Sequence, residues 1–459
     1  MSLADASILH LRRPLDVLLS KLAQDMEQAP VGAALELDEE VVSYLVYTGA
    51  QFSTMIFSAL EVSLPLQTEL WVGFQQPILR RYREDAREAA SDNIYKHVSY
   101  FYKVFLQRLI EYCPDCPEFK HVRRVFDISK PENSARFDKC PKAIYLRAAY
   151  NAVCRVGDLS RYRGRLANAT LYYKLATRLL PGSGAALNQL GSLSYKAGDL
   201  RDALFYFTKS LSVREPASDG NLRVVLRKIV RGFSKDNSAI MRIFICFARV
   251  YLDSNKGGNS DSCVGLTDAV LTETCCDADV LAKLAMTTIC FAHLTQSGIV
   301  LEHAVDTIHA LLDLYDTSGA AYVLPALHLY MDWLAKNPTV ATEVDSRRLA
   351  RCAKKLRSLT TVPQCGAAES LHAAGIEFLN GGLSQDDSQR RGRILGILAS
   401  VERILNNNNY YTEQTKLTMG ENHKANNMSN KEKKEIIKNK NETELEQGND
   451  EEIVFLGRR

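Results

Sequence analysis

The sequence has little net charge, because 57 basic and 54 acidic side chains leave a balance of only +3 over 459 residues. A protein that bound nucleic acid through its overall charge would be far more basic, so any basic site must be local. The catalytic signatures G-x-S-x-G, the P-loop and H-E-x-x-H are absent, and no pair of carboxylates stands in a catalytic context. The sequence therefore predicts a binding protein without enzymatic activity or a cofactor.

No secretory signal peptide is recognisable at the N-terminus, although the chain contains eleven cysteines. We therefore expect reduced thiols and a cytosolic or nuclear protein. Cys113 and Cys116 form a C-x-x-C pair, with His121 and Cys140 nearby, which raises the question of a zinc site. A closed zinc site needs four ligands, and no second C-x-x-C pair follows. The neighbouring prolines favour a loop between helices, so we expect no metal.

No segment alternates apolar and polar residues over the length of a strand, whereas apolar residues recur every three to four positions. We therefore predict an all-α fold. Residues 41–60 carry no charge, which raises the question of a membrane span. Their many hydroxyl and amide side chains are too polar for lipid, so a core helix is the better explanation.

An internal repeat with a period of 34 occupies residues 157–216. Gly157 aligns with Gly191 and Tyr173 aligns with Phe207, which is the spacing of tetratricopeptide repeats. In this pattern the glycine lies where two antiparallel helices approach closely, and the aromatic side chain packs against the next pair. Two hairpins cannot bury their own faces, so flanking helices must complete a larger array.

The first helix of this repeat carries three arginines, Arg161, Arg163 and Arg165, around Tyr162. We expect residues 157–160 to start that helix, which would place the arginines in its early turns. Exposed N–H groups at a helix start also favour an anion. The arrangement predicts a phosphate-binding site.

Three stretches resemble one family in the same order along the chain. They are the central run with GDLSRYR, YYKLATRLLPGSGAALNQLGSLS and ALFYFTKSL, the DWL segment at 321–338, and the basic segment at 388–405. They resemble the SMG family of nonsense-mediated mRNA decay factors, which share a 14-3-3-like domain with the ever-shorter-telomeres proteins. The resemblance covers about residues 10–405.

The resemblance and the helical periodicity together predict three parts. Residues 1–232 form a 14-3-3-like, tetratricopeptide-type helical bundle, and residues 233–405 form a stack of antiparallel helical hairpins. Residues 406–459 form a disordered tail, because they contain almost no apolar residues before the terminal EEIVFLGRR. That apolar motif is either a docking motif, which we favour, or a segment that packs back on the body. We expect no nuclease domain after residue 405.

The resemblance implies a non-enzymatic adaptor that binds the phosphorylated up-frameshift RNA helicase. It also implies a heterodimer with another SMG-family protein that recruits the mRNA decay machinery. Arg161 and Tyr162 would donate hydrogen bonds to the phosphate, and Asn188 would hold the peptide backbone. We expect a cytoplasmic location, with processing bodies and nuclear shuttling left open, no direct sequence-specific contact with nucleic acid, and no membrane association.

The chain departs from the family at one position of the implied pocket. The resembled proteins carry a phosphate-facing lysine on the helix that begins with Leu-Trp, where this chain has Gln75 and Gln76. The pocket would then depend on Arg161 together with Arg80 or Arg81.

Several alternatives stay open. The arginines near position 80 could form a solvated face paired with Glu84, Asp85 and Glu88. The phosphate pocket could have decayed, which would leave a scaffold that acts only through protein–protein pairing. A telomerase-associated factor is a further alternative, although it would need a more positive surface.

Truncation after Leu405 tests the predicted tail. We expect an essentially unchanged melting temperature, because a segment without apolar periodicity contributes little to a packed core. Thermal unfolding of the full and truncated chains gives the comparison. A large decrease in the melting temperature would mean that the tail packs on the body.

Overall fold

A computed structural model describes residues 3–28, 31–58, 60–84, 88–129, 140–232, 238–252, 267–273, 277–358 and 396–404. Every regular element within these ranges is helical. The only extended pairing among them is an isolated bridge between Ser183 and Glu215. The all-α prediction is confirmed.

The described residues divide into two units. One runs to Gly198 and includes Val213–Ala217, and the other comprises Asp199–Ser212 and the chain from Ser218. We predicted a boundary after residue 232, whereas the division lies at Gly198. The reason is that the helix after Gly198 packs on a later helix of the second unit, where Lys283 pairs with Asp202 at 2.8 Å.

The first unit consists of nine helices and one π-helical turn within the described ranges. They are α1 (Leu3–Gln28), α2 (Val31–Ser58), α3 (Leu60–Glu69), the π-helical turn (Leu70–Gln75), α4 (Gln76–Glu84), α5 (Glu88–Tyr112), α6 (Phe119–Phe126), α7 (Lys142–Tyr162), α8 (Leu166–Leu179) and α9 (Gly184–Lys196).

The uncharged run from residue 41 lies mainly in α2, which packs on α5. Val41, Phe52 and Ile56 are fully buried on α2, as expected for a core helix. Phe52 also contacts Phe74 of the π-helical turn, with ring centroids 5.1 Å apart.

The second unit continues the helical array. Its described helices are α10 (Leu200–Leu211), α11 (Gly220–Gly232), α12 (Ala239–Leu252), α13 (Thr267–Glu273), α14 (Ala278–Thr295), α15 (Gly298–Ser318), α16 (Leu324–Lys336), α17 (Pro338–Ala341) and α18 (Ser346–Ser358), with a further helical stretch at 396–404.

The two later family-like segments meet in one hydrophobic core. Leu327 and Leu334 of the DWL helix α16 are fully buried there together with Ile397 and Val401. The basic segment is therefore helical over its described part, 396–404. Residues 388–395 and the tail at 406–459 lie outside the described residues.

Among the described helices, α14 is long and apolar enough to cross a membrane, with a mean hydropathy of 1.2. Half of that helix is buried inside the protein. A core helix has the same length and composition, so this is weak evidence for a membrane span.

The cysteines partly depart from expectation. Of the seven cysteines in the described ranges, six are free thiols, but Cys246 on α12 is disulfide-bonded, so the expectation of reduced thiols is wrong at that position. Spacing along the sequence does not reveal which thiols meet in space.

Cys113 and Cys116 lie between α5 and α6, where Cys116 hydrogen-bonds to Glu118 at 3.1 Å, so the predicted loop is confirmed. Within the described part of the chain, no group of three His, Cys, Asp or Glu is placed to hold a metal.

Gly157 marks a close approach of α7 and α8. A Cβ at this position would lie 2.7 Å from the ring of Tyr173, which is fully buried. The predicted role of glycine in the repeat is confirmed here. However, α7 runs without a break from Lys142 to Tyr162. The expectation that residues 157–160 start a helix is therefore wrong, because this glycine serves helix packing rather than helix initiation.

The Gly157→Ala substitution tests this packing. We expect the free energy of unfolding to fall by about 1–3 kcal/mol, because the added methyl overlaps the Tyr173 ring. Gly182→Ala is the control, since its Cβ would meet Arg214 at an ordinary 3.7 Å. Chemical denaturation of both variants gives the comparison, and equal effects would contradict the close contact.

Candidate functional site

An open cavity of about 540 Å³ lies in the first unit. Residues from α1, the π-helical turn, α4 and α7 line it, and they are Leu19, Val72, Gln76, Pro77, Arg80, Arg81, Arg83 and Tyr162. These residues include three arginines and no acid. The cavity is therefore suited to an anionic ligand.

The π-helical turn determines which glutamine faces this cavity. Gln75 is buried and accepts a hydrogen bond from the Tyr102 hydroxyl at 2.7 Å. Gln76, the next residue, lines the cavity. Of the two glutamines that the sequence offered in place of the family's lysine, Gln76 is therefore the one at the cavity. Turns of this type are rare and are frequent at functional sites.

Helix α4 presents the arginines because its two faces differ. Ile78, Leu79 and Tyr82 are almost fully buried on one face, whereas Arg80 and Arg81 are exposed. The proposed acidic partners Glu84, Asp85 and Glu88 have side chains outside the described residues, so the solvated-face alternative stays open.

Tyr162 is held between an aromatic ring and two guanidinium groups. Its ring stacks on Trp71, with centroids 6.4 Å apart and an interplanar angle of 10°. The Cζ atoms of Arg161 and Arg83 lie 4.5 and 4.9 Å from the Tyr162 ring centroid, which is cation–π geometry. Burial raises the pKa of Tyr162, so its phenol stays protonated and can donate a hydrogen bond.

A buried carboxylate lies behind Tyr162. Asp158 is 7% exposed and accepts a hydrogen bond from the Tyr173 hydroxyl at 2.6 Å. Arg155 lies 3.1 Å and Arg161 3.6 Å from its carboxylate oxygens. A buried carboxylate needs such compensation. Arg155 also lies over the Trp71 ring, with its Cζ 5.0 Å from the centroid.

Arg161 therefore occupies a different position from the one we expected. Its side chain is only 8% exposed and is engaged by Asp158, and it is not among the residues that line the cavity. It lies in the last turn of α7, where carbonyl groups favour a cation rather than an anion. Tyr162, Arg80 and Arg81, by contrast, line the same cavity.

The other sequence candidates lie elsewhere. Arg163 pairs with Asp92, and Arg165 lies 3.7 Å from the same carboxylate. Asn188 is 6% exposed on α9, and its backbone carbonyl accepts a hydrogen bond from Ser192 at 3.1 Å. Asn188 does not line the described cavity, and its contact with a peptide backbone stays a prediction.

Sequence reasoning did not assign Arg83 or the apolar residues of the cavity to the site. Arg83 was detectable as the residue three positions after Arg80, since that spacing places both on one helix face. Leu19 and Val72 gave no comparable signal, because only the folded chain brings them next to α4.

The chain is similar in sequence to known proteins. Residues 169–238 match the family profile described as the Est1 DNA/RNA binding domain. Over 259 residues, or 50% of this chain, the sequence is 26% identical to the nonsense-mediated mRNA decay factor SMG7 of Danio rerio. The match covers only 22% of that longer relative.

Two solved structures share the fold. The crystal structure of Est1 and Cdc13 matches with a TM-score of 0.59 and 12% identity, over 87% of this chain and 96% of that one. The structure of the C. elegans SMG5-SMG7 complex matches with a TM-score of 0.50 and 16% identity, over 83% and 99% of the two chains. The fold is thus that of the helical 14-3-3-like proteins. In sequence and fold the chain is thus similar to the SMG and Est1 proteins.

The Arg161→Ala substitution tests the buried pair. We expect the free energy of unfolding to fall by about 1–3 kcal/mol, because Asp158 loses one of its cationic partners inside the protein. Arg165→Ala is the matched control, because that side chain is 53% exposed and its removal should change stability by less than about 0.5 kcal/mol. Urea denaturation followed by tryptophan fluorescence measures both. Equal effects would contradict the assigned role of Arg161.

Proposed function

We propose that this protein is a non-enzymatic adaptor of nonsense-mediated mRNA decay that binds phosphorylated segments of the up-frameshift RNA helicase. The observation that carries the proposal is the cavity in which Arg80, Arg81 and Arg83 stand beside Tyr162. Guanidinium groups bind phosphate with paired, charge-assisted hydrogen bonds. The similarity to SMG7 supports the pathway.

The arginines divide into two groups with different tasks. Arg80, Arg81 and Arg83 contact the phosphate directly, and Tyr162 adds a neutral donor. Arg161 acts from behind, because its guanidinium lies over the Tyr162 ring while it pairs with Asp158. This assignment moves the main phosphate contact from the end of α7 to α4.

The missing lysine need not abolish the site. Gln76 at the cavity carries no charge, which favours the alternative of a scaffold with a decayed pocket. Three arginines on α4 nevertheless provide more positive charge than one lysine would. The adaptor is therefore the better explanation, and phosphate dependence of binding separates the two.

The same protein would pair with another SMG-family member and recruit the decay machinery in the cytoplasm. The matching structure of the SMG5-SMG7 complex supports this pairing. In the first unit, Tyr100 is 67% and Val104 43% exposed. They lie one turn apart on α5, share a face and do not line the cavity, so they provide a separate apolar surface for a partner.

The function is tested by titrating the protein with matched phosphorylated and unphosphorylated peptides of the helicase. We expect binding only to the phosphorylated peptide, and a loss of about tenfold or more for Arg80→Glu or Arg81→Glu. Each lost hydrogen bond to a charged group costs about 1.5–3 kcal/mol, and about 1.4 kcal/mol is tenfold in affinity.

The charge-matched control is Arg124→Glu, because Arg124 is an exposed arginine on α6 that does not line the cavity. It should bind as the unmodified protein does. Equal affinity for both peptides would instead favour the scaffold with a decayed pocket.

A further inference from the structure

The arginines are only part of the lining of the cavity. Three further lining residues are apolar, namely Leu19 from α1, Val72 from the π-helical turn and Pro77 from α4, and we call them the apolar wall. All three are partly exposed. A phosphate group would engage the arginines, but it would leave the apolar wall in contact with water.

Each residue of the apolar wall stands next to a side chain that is buried in the core. Leu18 precedes Leu19, Trp71 precedes Val72, and Ile78 follows Pro77; these three neighbours are 3%, 1% and 0% exposed. Adjacent helical residues point in different directions. The three apolar residues therefore present their remaining surface to the cavity.

The size of the cavity is consistent with a ligand of two parts. Its volume of about 540 Å³ lies in the range of pockets that enclose whole small molecules, and a phosphate group alone would not fill it. Consecutive Cα atoms lie 3.80 Å apart, so residues next to a phosphorylated residue remain close to the same cavity.

The apolar wall favours an aliphatic side chain over a polar one next to the phosphate. An aliphatic side chain against Leu19, Val72 and Pro77 removes apolar surface of both partners from water, which is favourable. A polar side chain in the same place loses its water without gaining a hydrogen-bond partner there. Exclusion of water also strengthens the attraction between arginine and phosphate.

We propose that the phosphopeptide recognised by this cavity carries a bulky aliphatic residue directly beside its phosphorylated residue, and that Leu19, Val72 and Pro77 bind that side chain. The inference rests on the proposed function and adds a second specificity element to it. The cavity thus recognises a phosphate group together with the aliphatic side chain of the adjacent peptide residue.

The test uses the full chain and two phosphoserine peptides that differ at one neighbouring position, Leu in one and Asn in the other, each with an unphosphorylated counterpart. Fluorescence anisotropy gives the dissociation constants. We expect the Leu peptide to bind about tenfold more tightly than the Asn peptide, which corresponds to the burial of a few methylene groups.

The Val72→Thr substitution replaces one methyl of the apolar wall with a hydroxyl at nearly constant shape. We expect it to reduce the preference for the Leu peptide over the Asn peptide at least threefold. Val104→Thr is the matched control, because Val104 is exposed on α5 and lies outside the cavity lining. It should retain the full preference.

The outcomes separate the two proposals. If both phosphopeptides bind equally well and their unphosphorylated forms do not bind, the phosphate site stands and the apolar subsite is wrong. If Val72→Thr and Val104→Thr change the preference alike, the subsite is also wrong. If neither phosphopeptide binds, the proposed function fails, and binding of vesicles with a phosphorylated inositol headgroup would then assign the arginines to a lipid.

Discussion

A single buried carboxylate organises the region that contains the cavity. Asp158 is compensated by two arginines of its own helix, one three residues before it and one three residues after it, and by a tyrosine hydroxyl from α8. Because a buried carboxylate is costly without partners, these side chains have little freedom to move. Arg155 and Arg161 also lie over Trp71 and Tyr162. Through these two arginines, the Asp158 carboxylate therefore fixes the positions of Trp71 and Tyr162, and Tyr162 lines the cavity.

This network shows an environment of Arg161 that the sequence did not reveal. Arg161 looked like a ligand residue because it stands in a basic run, but burial commits it to Asp158. The arginines on α4 stand on a helix whose opposite face is buried by Ile78 and Leu79, and they are exposed where they line the cavity. The environment of each arginine, rather than the number of arginines, decides which of them can bind a ligand.

The parts of the structure that depend on local periodicity were predictable. The spacing of apolar residues indicated an all-helical chain, and the 34-residue period indicated that Gly157 lies at a close approach of two helices. Gly157 followed by Asp158 also resembles a helix start, and the sequence alone does not distinguish a glycine that allows close packing from one at a helix end. The cavity was not predictable, because Leu19 and Val72 reach α4 only through tertiary packing. The choice between Gln75 and Gln76 depends on a π-helical turn that leaves no clear mark in the sequence.

That turn also sets the rotational phase of α4 relative to the preceding helix. Each helical residue advances the direction of the side chains by about 100°, and a π turn holds more residues than an α turn. Loss of one residue between Leu70 and Gln75 would rotate α4 about its axis, so that Arg80, Arg81 and Arg83 would no longer point into the cavity although none of them is changed. Chain length in this short segment thus determines the direction of the α4 arginines, and related proteins with the same arginines but a regular helix here would present them in a different direction.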